Sequence, residues 1–241
     1  MNAVITAGGR VDGEFARAIG ASVKALAPFR NSTFLHLTIR AVHDAGVPVV
    51  AVVGGDEIRA SEPGVRIIDE GSTGAENLRR ALHAWDENEP LLYLTSDMPF
   101  IDASALRWFI EAAPPAALAL PLTEWSDFDR RFPQAPPFGI ALGGEKVVNG
   151  GAFLIPPHAA SAIEAMATRF FDARKHPLQM ASLAGPSLLL RFVFRRLSIA
   201  TLESRARQVL GVRAVGVRGA PPELAYDVDV LEEYRYALAH A

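Results

Sequence analysis

The stretch from Ala3 to Lys24, A-V-I-T-A-G-G-R-V-D-G-E-F-A-R-A-I-G-A-S-V-K, constrains this chain more than any other. Ala3 to Thr6 is a short apolar run suited to a buried strand, and Ala7, Gly8 and Gly9 follow it without a bulky side chain. Backbone can approach a ligand closely there. A cation (Arg10), a polar loop holding Gly13 and Gly20, and a second cation (Lys24) come next. That order suits a polyphosphate: exposed N–H groups hold oxygens while Arg and Lys neutralise charge that a loop alone cannot. The plainer alternative is an ordinary strand-to-helix turn. Neither G-x-x-x-x-G-K-[ST] nor G-x-G-x-x-G is present, which removes a P-loop and a dinucleotide fingerprint.

The 241 residues are half apolar with no break in composition, so one domain over 1–241 is expected, with a helical segment at about 157–210. The absence of Cys excludes disulfides, thiolate metal sites and a Cys nucleophile. No signal peptide is recognisable, and the cytoplasm is the expected compartment. A net charge of −3 argues against broad binding to nucleic acid.

Phe34 to Ala45 predicts a crossover helix ended by Gly46, and Val47 to Val53 predicts a buried parallel strand. Together with the first strand they make a βαβ unit, with a ligand expected beyond the carboxyl end of strand one. Val65 to Asp69 is a third short strand, and Gly71 to Gly74 precedes a helix over about 75–85. That glycine loop can hold an anion or serve as a plain cap. Leu91 to Thr95 is the next buried strand, and Ser96-Asp97-Met98-Pro99 follows it. A carboxylate at that place is where a hard cation would sit, since Mg²⁺ takes one or two carboxylates plus substrate phosphates. Asp97 as a strand-end or capping residue is the alternative.

Trp125 to Gly139 reads as a substrate-facing loop, Ile140 to Val148 as a hairpin, and Asn149-Gly150-Gly151 as a turn whose amide could also bind an acceptor. An amphipathic helix is expected over 161–171, then a cationic break containing Arg174 and Lys175. Segment 183–200 carries Arg191, Arg195 and Arg196 on one side of a helix and is too interrupted by charge to span a membrane. Its readings are a helix pair, a wall of an acceptor site, or a peripheral membrane or partner surface. Asp227 and Asp229 share one face if extended, or one of them caps the last helix.

With these pieces in order, the chain resembles the MobA-like NTP transferases of the GT-A-like nucleotidyltransferase superfamily. The resemblance is carried by I-T-A-G-G-R (Ile5 to Arg10), K-A-L-A-P-F (Lys24 to Phe29), G-S-T-G-A-E-N-L (Gly71 to Leu78), L-T-S-D-M-P-F (Leu94 to Phe100), N-G-G-A-F-L-I (Asn149 to Ile155) and Y-D-V-D-V-L-E-E-Y (Tyr226 to Tyr234). It implies a three-layer α/β/α sandwich with a mixed, mostly parallel sheet. It implies that Ala7, Gly8 and Gly9 supply amides to a nucleotide, that Arg10 and Lys24 hold its phosphates, and that Gly74 and Ser96 line the nucleotide. Asp97 and Asp229 would hold Mg²⁺, with Asp227 the rival for the second place, and Asn149, Arg174 and Lys175 would face the acceptor. Val230-Leu231 replaces the family's usual Thr-Pro after the second acid.

The implied reaction moves an NMP from a nucleoside triphosphate to a phosphate or phosphorylated acceptor with release of pyrophosphate. Two competitors remain. A nucleotide-sugar glycosyltransferase of the same fold usually needs D-x-D where this chain has Ser96-Asp97-Met98. A non-catalytic nucleotide- or partner-binding domain has little use for a metal site.

Overall fold

The computed structural model describes residues 1–48, 50–84, 88–136, 139–173 and 197–241. In chain order the elements are β1 (Asn2–Thr6), α1 (Gly13–Ile19), β2 (Pro28–Phe29), β3 (Ser32–Thr33), α2 (Phe34–Asp44), β4 (Val50–Gly54), α3 (Asp56–Ser61), β5 (Arg66–Asp69) and α4 (Gly74–Leu82). They continue with β6 (Leu91–Thr95), α5 (Ala103–Ala112), β7 (Leu118–Glu124), α6 (Trp125–Arg131), β8 (Ile140–Leu142), β9 (Glu145–Val148) and β10 (Ala152–Ile155). Then come α7 (Ala160–Ala173), α8 (Ile199–Leu210), β11 (Ala214–Arg218) and α9 (Leu231–Ala239).

Strand β1 is apolar on both faces and pairs in parallel with β4 on one side and β6 on the other. Strand β5 extends the sheet beyond β4, and β10 lies antiparallel between β6 and β7. Strand β11 runs parallel to β7, whose last two residues turn away to pair with the β8–β9 hairpin. The sheet is therefore mixed and mostly parallel.

Alternation along the strands divides the core. Ala3, Ile5, Leu92 and Leu94 face Leu35, Ile39 and Val42 of α2 and Leu106 and Phe109 of α5. Val4, Ala51 and Val53 face Ala81 and Leu82 of α4, Ile163 of α7 and Leu210 of α8. Helices on both faces make the three layers. Among the described residues four helices begin on a side-chain cap, from Thr33, Thr73, Asp102 and Ser198, each worth about 1 kcal/mol.

A third cluster is aromatic and lies beneath the loops at the carboxyl ends of the strands. Phe15, Phe29, Phe34, Phe100, Phe128, Phe132, Tyr226 and Tyr234 are all buried in it. It corrects two expectations. The segment after Arg10 is not simply a polar loop: seven residues form α1, whose Phe15 and Ile19 enter this cluster, and left-handed Gly20 (φ 70°) closes it. Trp125 to Gly139 is not a substrate-facing loop over its first half, because α6 turns Phe128 and Phe132 into the same core. The charged residues between them mark the outer face of a helix. Among the described residues no helix is long and apolar enough to cross a membrane. Residues 183–196, with their arginines, lie outside the described residues, as do Arg174 and Lys175.

Candidate active site

The carboxyl ends of β1, β4 and β6 bring the glycine loop beside Asp97. The N–H of Ala7 donates to the Val53 carbonyl at 2.9 Å, adding a rung beyond the β1–β4 ladder, so Gly8 and Gly9 are the amides that lie past it. The loop then closes on the segment before Lys24. Val11 N–H donates to Ser22 O and Lys24 N–H donates to Gly9 O, both at 2.9 Å. A Cβ on Gly9 would lie 3.5 Å from Lys24 Cε, so the lysine stem runs directly under the loop.

The Lys24 ammonium reaches Asp97 Oδ2 at 2.7 Å and Asp229 Oδ1 at 2.8 Å. Lys24 and Asp97 are nearly enclosed, with side chains 13% and 15% exposed, whereas Asp229 is 72% exposed. The second oxygen of Asp97 accepts from Thr95 Oγ1 at 2.5 Å, and the Val228 N–H donates to the Asp97 carbonyl at 3.0 Å, tying the C-terminal acids to the end of β6. Burial works to lower the Lys24 ammonium, but the charges of Asp97 and then Asp229 outweigh it and hold the group above its usual range.

Asp227 is the third carboxylate here. Burial first, and then the charges of Asp97 and Asp229, push its carboxyl from 3.8 up to about 7 against the opposing pull of Lys24. Across that window the metal-free native state keeps a proton that the unfolded chain has released, so stability falls as pH rises from about 4 to 7. Asp227→Asn is expected to flatten that slope and to exceed the parent by about 2–4 kcal/mol at pH 8. Urea unfolding in EDTA at pH 5 and pH 8 measures it, and unchanged pH dependence would refute the assignment.

Arg10 leaves the loop in another direction. Its guanidinium pairs with Glu57 at 2.7 Å and Glu70 at 2.5 Å, and hydrogen bonds to Glu57 and then Glu70 raise its pKa. Glu70 itself fills the space a Cβ would take on Gly8 (2.5 Å) and on Gly55 (2.8 Å). Gly74 opens α4, where Thr73 caps and the Glu76 carboxylate takes the Ser72 N–H, so the loop 71–74 serves here as a cap. Ser96 is buried between the ends of β1 and β6, its N–H donating to Thr6 O. Asn149 is half-buried two residues before Gly151, whose carbonyl accepts the Thr95 N–H at 2.8 Å; this sets Asn149 beside the end of β6.

Neither C-terminal Asp caps α9. Val230 occupies that position, and the Glu233 carboxylate accepts the N–H groups of Asp229 and Val230. Asp229 is thus left free to face Lys24. Thr95, Glu57, Glu70 and Glu233 escaped the sequence reading, although Glu233 stands where a capping-box acid would.

The donor set suits a hard divalent cation. All three acids offer oxygen, and one ammonium balances them incompletely. Among the described residues no three His, Cys, Asp or Glu side chains are gathered as a ready cage, so a cation here would rely on two carboxylates and on oxygens brought by a ligand.

The model of the MobA-like NTP transferase domain matches residues 3–211. The chain belongs to the MobA-like NTP transferase family. A hypothetical transferase from Thermus thermophilus is 29% identical over 96% of this chain and 98% of its own, with a TM-score of 0.84. A nucleotidyl transferase from Methanothermobacter thermautotroptrophicus shares the fold at 18% identity, 99% and 96% coverage and a TM-score of 0.59. So does Rv0371c of Mycobacterium tuberculosis in complex with manganese, at 18% identity, 100% and 98% coverage and a TM-score of 0.55. No curated protein matches the chain. The MobA-like architecture is the GT-A-like nucleotidyltransferase fold, and Lys24, Asp97 and Asp229 stand at the carboxyl ends of its strands.

Proposed function

We propose that this MobA-like protein is a Mg²⁺-dependent nucleotidyltransferase that moves an NMP from a nucleoside triphosphate to a phosphate or phosphorylated acceptor and releases pyrophosphate. The observation that carries the reading is the convergence of Asp97 and Asp229 on Lys24 beside the glycine loop. Residues from both ends of the chain share that site, which is also why 1–241 is read as one domain. Asp97 and Asp229 would hold the metal, which supplies neutralisation and electron withdrawal at the α-phosphate. The Gly8 and Gly9 amides would hold phosphate oxygens, and Lys24, with a third N–H beyond the two given to the acids, would offset charge developing on the pyrophosphate. The acceptor oxygen forms a bond to the α-phosphorus as the bond from that phosphorus to the bridging oxygen breaks, and pyrophosphate leaves with the electron pair. An ionised phosphate acceptor brings no proton to remove, so positioning and charge neutralisation do the catalysis.

A glycosyltransferase reading is disfavoured by Met98. It stands where a D-x-D would place its second acid, and its side chain is fully buried in the core. Asp127 and Asp129 lie on α6, with Asp127 paired to Arg130.

A thermal-shift series with CTP, GTP, UTP, ATP and dTTP, each with and without Mg²⁺, tests the proposal. A triphosphate at about 100 times its Kd should add roughly 2.7 kcal/mol of stability, and only with the metal present. Stabilisation by a nucleotide sugar alone would turn the reading to the glycosyltransferase, and no response to any nucleotide would sink it.

A further inference from the structure

Asp229 is the most exposed member of the site, so burial does not fix its direction. Its main chain is fixed instead. One oxygen of Glu233 accepts both the Asp229 N–H (2.5 Å) and the Val230 N–H (2.9 Å). The other end of the same residue is also held: the hydroxyl of fully buried Tyr226 donates to the Glu233 carbonyl at 2.9 Å. Residues 226–233 therefore form a loop closed twice on Glu233, with Asp227 and Asp229 inside it and Val228 anchored to the Asp97 carbonyl. Val230, at the helix N-cap, has no side-chain acceptor of its own, which leaves the frame to Glu233.

From this we infer that Glu233 is a positioning residue: its carboxylate aims Asp229 at Lys24 and at the cation the site takes. The inference rests on the metal reading above. It differs from simple helix capping in what it moves. A cap contributes stability wherever it comes from, whereas the grip on the Asp229 N–H also sets the direction of a metal ligand, and losing such an outer partner typically weakens metal affinity 10- to 100-fold.

The experiment is a Mn²⁺ titration of the full chain by electron paramagnetic resonance, with the melting temperature recorded alongside. Glu233→Ala is expected to weaken Mn²⁺ binding about tenfold and lower the melting temperature, while Glu233→Gln, which keeps an acceptor, stays within about twofold of the parent. Adding Val230→Ser to Glu233→Ala supplies a helix cap at an exposed position and should recover stability but not Mn²⁺ affinity. If the double variant regains affinity together with stability, or if Glu233→Ala binds Mn²⁺ as the parent does while Asp97→Asn loses it, Glu233 is a cap and nothing more. Absence of Mn²⁺ binding by the parent, or binding unchanged in Asp97→Asn, overturns the metal reading and this inference with it.

Discussion

Asp97→Asn is expected to lower pyrophosphate release by about 10²- to 10³-fold with little change in melting temperature, the size seen when one preorganised charge-stabilising group is removed. The amide is nearly isosteric, and its oxygen can still accept from Thr95 Oγ1. What it loses is the charge that pairs with Lys24 and would hold the cation. Lys24 keeps Asp229 as a partner at 2.8 Å, so no buried ammonium is stranded and folding should survive. Pyrophosphate release and thermal unfolding, measured on the same preparation, separate the two effects. Activity at the parent level would remove Asp97 from the site.

Gly150→Ala should produce the largest loss of stability, about 3 kcal/mol, at the upper end of what overpacking costs. A Cβ there would sit 1.9 Å from the Leu224 carbonyl oxygen and 3.2 Å from Ala225 Cα. Both are backbone atoms of the turn that leads into Tyr226 and the two acids, so relief requires moving that turn and the substitution should also depress activity. Gly9→Ala is the contrast: its Cβ would meet Lys24 Cε at 3.5 Å, an ordinary contact, and stability should change by less than about 0.5 kcal/mol. Urea midpoints decide, and a Gly150→Ala protein as stable as the parent would mean the turn yields easily.

The parts of the site legible in the sequence are those in which one residue type answers one local demand. An apolar run ending in glycines and a second apolar run mark β1 and β6, whereas Asp97 directly after β6 reads as a cation ligand or as a strand-end acid, and only its partners separate the two. Partners distant in sequence were legible only through the family resemblance, as for Lys24, Asp97 and Asp229. Nothing near Arg10 announces Glu57 and Glu70, because their meeting depends on how β4 and β5 stack beside β1. The segment at Trp125 does contain its helical signal: Trp125, Phe128 and Phe132 recur at helical spacing, while the alternating charges belong to the outer face. Phe15 and Ile19, four residues apart, carry the same message for α1.

The ion pair between Lys24 and Asp229 spans 205 residues. Contacts so remote in sequence form late, because their loop must be closed before they repay it. On the ribosome, Gly8, Gly9, Lys24 and Asp97 emerge while the segment bearing Asp229 has yet to be made. A nascent chain at that stage can pair one ammonium with one carboxylate and offers a divalent cation a single acid. The paired site is thereby completed only when the segment bearing Asp229 joins Lys24 and Asp97, and a chain cut before residue 229 keeps that ammonium on one carboxylate.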